Sequence, residues 1–84
     1  MDCICRVKLI RPMDVSDFVA TASSCPKEIE IIASHGKYDV DARSTMGMFS
    51  LNLSEPVTLR VNIPDTETDF DEKAFLKSLK EWSV

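Results

Sequence analysis

The sequence is poor in several features that common functional classes require. Its 84 residues include two glycines, three cysteines and one histidine, and 7% of them are aromatic. Two glycines cannot form a glycine-rich phosphate loop, and no nucleophile has a base at the spacing typical of an enzyme family. No apolar run is long enough to cross a membrane. We therefore expect no enzymatic activity, no cofactor and no membrane insertion.

Positive charge is also scarce. Ten Lys and Arg stand against 14 Asp and Glu, which gives a formal net charge of -4. Binding to nucleic acid needs a surplus of positive charge on one surface, so we expect no direct nucleic-acid partner. The beginning of the chain, Met1-Asp2-Cys3, lacks the basic start and apolar middle of a secretion signal. These features favour a cytoplasmic protein.

The three cysteines leave at least one thiol unpaired in a monomer, which does not suit a secreted fold held by disulfides. Cys3 and Cys5 are two residues apart, so in a strand they share one face and fit a core as small apolar residues. The alternative is a zinc site formed by Cys3, Cys5, Cys25 and His35. Its irregular spacing matches structural zinc sites poorly, so we expect no metal.

Four segments in which apolar and polar residues alternate predict β-strands. They are residues 3–10, 28–33, 37–42 and 57–63. Ser34-His35-Gly36 separates the second from the third and predicts a tight hairpin turn. His35 is therefore interpreted as an exposed turn residue rather than a catalytic one, since no Ser, Asp or Cys is placed to activate it.

Two longer segments have the apolar spacing of helices. The first is predicted to begin at Asp14 as its cap, with a stripe of Val15, Phe18, Val19 and Ala22. The last is predicted to begin with a capping box of Asp69 and Glu72, with a stripe of Phe75, Leu76, Leu79 and Trp82.

A short apolar segment, residues 44–51, interrupts the alternation and predicts a short central helix. Ser44 is a suitable N-cap, and we expect Met48 and Leu51 in the core. If Ser44 were phosphorylated, the phosphate would meet backbone donors of the first turn and the charge of Arg43, which would make the segment a switch. The alternative is that Ser44 only caps the helix and that the methionines only fill the core.

The resulting order is β-α-β-β-α-β-α in a single domain, residues 1–84. Amphipathic strands and helices of this kind form an α+β open-faced β-sandwich, in which a four-stranded antiparallel sheet is covered on one face by three helices.

This order, together with residues 43–51, resembles the HPr family, the phosphocarriers of the bacterial sugar phosphotransferase system. Ser44 with Met46-Gly47 and Ser50-Leu51 is similar to the segment that bears the regulatory serine in HPr proteins of Gram-positive bacteria. Residues 32–37 resemble the second hairpin of the family. The resemblance covers nearly the whole chain.

The carrier site of the family is where the sequence departs from it. The resemblance implies a phosphate-accepting histidine at the start of the first helix, followed two residues later by an arginine and then a proline. Alignment without gaps puts Arg11 at the histidine position, Met13 at the arginine and Asp14 at the proline. An arginine stays protonated and cannot carry the phosphoryl group.

The resemblance therefore implies a non-carrier regulator or binding protein, similar in this respect to Crh. Its expected partners are HPr kinase/phosphorylase, the catabolite control repressor or phosphotransferase components, with Ser44 as the regulatory phosphosite. The expected partner surface comprises Arg11, Pro12, Met13, Arg43, Met46 and Phe49. Two alternatives stay open: a phosphocarrier that acts through His35 or a cysteine, and a structural partner-binding module.

Overall fold

The computed structural model describes residues 2–65 and 70–84. The elements are β1 (Asp2–Val7), α1 (Pro12–Ser23), β2 (Glu30–His35), β3 (Tyr38–Asp41), α2 (Thr45–Phe49), β4 (Val57–Asn62) and α3 (Glu72–Ser78), followed by a 3-10 turn (Lys80–Trp82). The order β-α-β-β-α-β-α agrees with the sequence prediction. No helix in these ranges is both long and apolar enough to traverse a lipid bilayer.

The four strands form one antiparallel sheet with the order β1-β4-β2-β3. β4 lies between β1 and β2, which explains why Val57, Leu59 and Val61 are almost completely buried. Since side chains alternate along a strand, all apolar residues of β4 lie on the face that the helices cover. The predicted open-faced sandwich is confirmed.

The core lies between this covered face and the helices. The stripe predicted for α1 is buried, and Phe18 packs edge-to-face on Trp82 with ring centroids 5.9 Å apart. Met48 and Leu51 are also buried, as the sequence predicts. The short helix α2 is therefore fixed to the core by one side of its surface, while its other side faces solvent.

β1 ends at Val7, earlier than the predicted strand of residues 3–10. Leu9 is still buried, so the apolar alternation continues beyond the sheet hydrogen bonds. The end of the chain lies along this edge: the backbone N–H of Lys8 donates to the Trp82 carbonyl at 2.8 Å, and that of Val84 donates to the Arg6 carbonyl at 3.2 Å.

The hairpin turn is also shifted from its predicted position. His35 is the last residue of β2 and pairs with Tyr38, so the turn is Gly36-Lys37. Gly36 has a φ of 61°, which a glycine adopts without steric cost. The prediction that His35 is an exposed turn residue was wrong, because a two-residue loop places it inside the strand pair.

The last helix has a different cap from the predicted one. Asp71 is the N-cap, and its carboxylate accepts the backbone N–H of Ala74 at 3.0 Å. Glu72 is thus the first residue of the helix and not the third, as the predicted capping box requires. Asp69 lies outside the described residues. α3 ends at Ser78, and the 3-10 turn brings Trp82 to the core.

Candidate functional site

The start of α1 is built around a carboxylate that reaches backwards along the chain. Arg11 is the N-cap, in an extended conformation, and Pro12 is the first helical residue. One oxygen of Asp14, Oδ2, accepts the backbone N–H groups of Arg11 at 3.1 Å and of Ile10 at 3.3 Å. These donors precede the helix and have no intrahelical partner. Asp14 is therefore not the cap, as the sequence predicted, but the third helical residue, which holds the cap in place.

The same carboxylate binds the Arg11 side chain. Nη2 of Arg11 lies 2.9 Å from Oδ1 of Asp14, and Nε lies 3.5 Å from Oδ2. This contact and the backbone donors lower the pKa of Asp14 from 3.8 to about 2. Asp14 is 6% exposed, whereas 69% of the Arg11 side-chain surface remains exposed. The helix start thus presents a guanidinium that is already paired with an internal anion.

At α2, Ser44 is the N-cap, as predicted. Its Oγ accepts the backbone N–H of Gly47 at 3.1 Å. A Cβ on Gly47 would lie 3.2 Å from both Cβ and Oγ of Ser44 and 3.3 Å from Cβ of Val40. The glycine therefore permits the close approach between the serine side chain and the helix. Met46, 86% exposed, and Phe49, 50% exposed, form the outward side of α2.

Arg43 has a role that the sequence did not suggest. Its guanidinium donates to four backbone carbonyls between the end of α1 and the start of β2, at Ala22 (3.1 Å), Cys25 (3.3 Å), Pro26 (2.8 Å) and Ile29 (2.7 Å). The expectation that Arg43 supplies charge to an anion at Ser44, or lines a partner surface, is corrected by this geometry. Its donors are directed into the fold, where they join the α1–β2 connection to the segment before α2.

A cavity of about 330 Å³ joins the start of α1 to α2. It is lined by Leu9, Ile10, Arg11, Pro12, Val15, Phe49, Leu53 and Ser54. The structure therefore brings Arg11, Pro12 and Phe49 together, as the predicted surface requires. Met46 does not line this cavity. Met13 does not line it either, although it follows Pro12 in the chain and is 64% exposed. The contribution of Ile10, 78% exposed, was not recognised from the sequence because its apolar character also fits the end of a strand.

His35 lies at the end of β2 and not at the start of α1, where the resemblance places the carrier histidine. Its Nε2 lies 3.0 Å from Oε1 of Glu55, and 28% of its side-chain surface is exposed. Glu55 was not predicted as its partner, since twenty residues separate them and no pattern links them. Glu55 lies in the connection that leads into β4, and the antiparallel pairing of β4 with β2 brings it next to His35.

The cysteines do not gather around His35. Cys3 and Cys5 lie on the covered face of β1, Cys25 follows α1, and all three thiols are free. Burial is the main cause that raises the pKa of each thiol. Within residues 2–65 and 70–84, no three His, Cys, Asp or Glu side chains are arranged to hold a metal ion.

The fold is that of the HPr phosphocarriers. A crystal structure of the phosphocarrier protein HPr from Bacillus anthracis str. Ames is similar with a TM-score of 0.64, at 20% sequence identity over 99% of this chain and 98% of that one. HPr-C-His from Thermoanaerobacter tengcongensis is similar with a TM-score of 0.62, at 24% identity over 96% and 88% of the two chains. No family model and no curated protein sequence matches the chain. The similarity therefore establishes an HPr-like fold and nothing finer.

Proposed function

We propose that this chain is a non-carrier, HPr-like regulatory or binding protein without enzymatic activity, related in function to the bacterial phosphotransferase system. The observation that carries the proposal is the start of α1, where a guanidinium paired with Asp14 occupies the place that the resemblance gives to a phosphate-accepting imidazole. A protonated guanidinium lacks the nucleophilic lone pair with which a neutral imidazole accepts a phosphoryl group. The phosphocarrier fold is thus retained without a competent nucleophile at this position.

The partner surface of the proposal consists of Arg11, Pro12, Met13, Met46 and Phe49. It combines one exposed positive charge with exposed apolar side chains from two helices. Methionine and aromatic side chains are enriched at protein–protein interfaces, and flexible methionines adapt to different partners. The cavity between Arg11 and Phe49 would accept a side chain of the partner. HPr kinase/phosphorylase, the catabolite control repressor and phosphotransferase components are the partners that the resemblance suggests.

Ser44 is the proposed regulatory phosphosite. It precedes α2 in the chain and is half-buried, so phosphorylation would add about two negative charges next to the apolar side formed by Met46 and Phe49. The added charge would change which partners this surface accepts. A phosphate oxygen could replace Oγ as acceptor of the Gly47 N–H. Arg43 would not assist, since its donors are bonded to backbone carbonyls.

The first experiment tests the absence of carrier activity. The protein is incubated with phosphoenolpyruvate and enzyme I, with a histidine-containing HPr as positive control, and acid-labile phosphate is measured by intact mass before and after acid treatment. We expect no labelling. Acid-labile phosphate that disappears in a His35→Gln variant would contradict the proposal and support the alternative of a carrier that acts through His35.

The second experiment tests the switch. Incubation with ATP and HPr kinase/phosphorylase should add one acid-stable phosphate at Ser44, located by peptide mass spectrometry. The variant Ser44→Ala should remain unlabelled, while Ser50→Ala, a matched change at the other end of α2, should be labelled normally. Labelling that persists in Ser44→Ala, or a chain that the kinase ignores, would contradict the assignment and leave a partner-binding module without this switch.

A further inference from the structure

The face of the sheet opposite the helices is an exposed surface organised in rows. One row consists of Ile4, Arg60, Ile32 and Asp41, in the strand order β1-β4-β2-β3, and the next consists of Arg6, Thr58, Ser34 and Asp39. Ile4 is 67% exposed although it lies in the middle of a strand. All four charged side chains of the two rows are exposed, and a further row of this face pairs Asn62 of β4 with the exposed Glu30 of β2.

Charge divides this face into two halves. Arg6 and Arg60 lie on β1 and β4, whereas Asp39 and Asp41 lie on β3 at the other edge. Strands are spaced about 4.8 Å apart, so β1 and β3 are separated by roughly 14 Å. None of these four side chains takes part in an ion pair with another described residue. Their charges are therefore available to a molecule that covers the face.

We propose that this open face binds a second copy of the chain, with a two-fold axis that runs parallel to the strands between β4 and β2. Rotation about this axis places β1 of one copy over β3 of the other, and each row over the same row in reverse order. Arg6 of each copy then faces Asp39 of the other copy. The contact occurs twice because the interface is symmetric.

Charge also excludes the other simple arrangement. A two-fold axis across the strands would place β1 over β1 and β3 over β3, so that Asp39 of one copy approaches Asp41 of the other. Like charges that face each other disfavour an association. Of these two arrangements, only the axis parallel to the strands brings opposite charges of the two copies together.

The other row is compatible with the same arrangement. Arg60 of one copy faces Ile32 of the other, where its aliphatic stem can cover the apolar side chain while the guanidinium stays solvated. Ile4 faces Asp41, whose Oδ1 already accepts the backbone N–H of Arg43 at 2.9 Å. This carboxylate therefore keeps a hydrogen-bond donor when Ile4 approaches.

The size of the face sets the strength of the association. Three strands of six residues and one of four cover roughly 350 Å² per copy. This area lies below that which stable complexes bury and in the range of weak, transient ones. We expect a dimer that forms at high micromolar concentration and weakens with salt, because exposed charges provide its specificity. The surface formed by α1 and α2 lies on the opposite side of the sheet and stays free, so this inference does not depend on the proposed function.

Sedimentation equilibrium of the full chain tests the proposal first without any substitution. Samples up to about 1 mM are compared at about 20 mM and 500 mM NaCl, where screening lengths differ about fivefold. We expect a monomer–dimer equilibrium at low salt and a dissociation constant at least tenfold higher at high salt. A chain that stays monomeric throughout would overturn the proposal.

Charge reversal then tests the orientation. Arg6→Asp and Asp39→Arg should each abolish the dimer, whereas an equimolar mixture of the two variants should form a heterodimer, because both cross-contacts are then between opposite charges. Lys73→Asp, an equal change of charge on exposed α3, should dimerise like the parent. Far-UV circular dichroism verifies that each variant is folded. Dimerisation of Arg6→Asp alone, or a mixture that remains monomeric, would show that the arrangement is wrong.

Discussion

Replacement of Arg43 by glutamine should destabilise the protein more than any other substitution of an accessible charged residue. The guanidinium donates to four carbonyls, three of them at 2.7–3.1 Å and the fourth, at Cys25, at 3.3 Å. A hydrogen bond to a charged group contributes about 1.5–3 kcal/mol. Because Arg43 is only half-buried, water can replace part of this network in the variant, and the expected loss is about 2–3 kcal/mol in total.

The size of the domain makes this loss easy to measure. A domain of this length has a free energy of unfolding of about 4–13 kcal/mol, and each kcal/mol corresponds to about 4–8 °C in Tm. Arg43→Gln should therefore lower Tm by roughly 10–20 °C. Arg43→Lys keeps the charge but lacks the planar fork of donors, so it should show an intermediate loss. Urea unfolding followed by circular dichroism gives the free energies directly.

Arg60→Gln is the matched control, since Arg60 is exposed and lies on the open face. At low micromolar concentration it should change the free energy of unfolding by less than about 0.5 kcal/mol. If Arg43→Gln were as stable as Arg60→Gln, the four carbonyl contacts would not support the fold, and the interpretation of Arg43 as a structural residue would be refuted.

Three further predictions concern the core, the α2 cap and pH. Met48→Ala should cost about 2–5 kcal/mol, because Met48 is fully buried, whereas Met46→Ala should cost less than about 0.5 kcal/mol; urea unfolding distinguishes them. Gly47→Ala should destabilise despite the higher helix propensity of alanine, since its Cβ would lie 3.2 Å from Ser44, and an increase in Tm would contradict this. The pKa of Asp14 is lowered to about 2, so its ionised form stabilises the fold above about pH 4. That contribution should disappear as the pH falls toward 2, and Asp14→Asn should lack this part of the pH dependence of unfolding.

The start of α1 shows why local patterns locate a helix better than its cap. The apolar spacing from Val15 onward predicts the helix correctly, because burial of one stripe is a local property of the sequence. Asp14 was expected at the cap because aspartate favours that position. Its carboxylate instead accepts the N–H groups of Arg11 and Ile10, an arrangement that depends on the extended conformation of the preceding residues.

Those parts of the candidate site that depend on local residue spacing were also predictable from the sequence. The N-cap role of Ser44 and the burial of Met48 follow from local spacing and are confirmed. The resemblance placed Arg11 and Phe49 on one expected partner surface, but the cavity that both residues line was not predicted. The phosphorylation of Ser44 and the partners of this surface stay predictions.

The order of elements, the α+β class, the buried faces of β1, β2 and β4 and the lack of a histidine before the first helix all follow from the sequence. These properties depend on periodicity and on residue identity at single positions, and both can be read along the chain. Only the folded chain shows that Arg43 binds carbonyls, that His35 contacts Glu55 and that acidic and basic edges share one open face. Such contacts join residues that are distant in sequence, so they exist only after the sheet order β1-β4-β2-β3 has brought their strands and connections together.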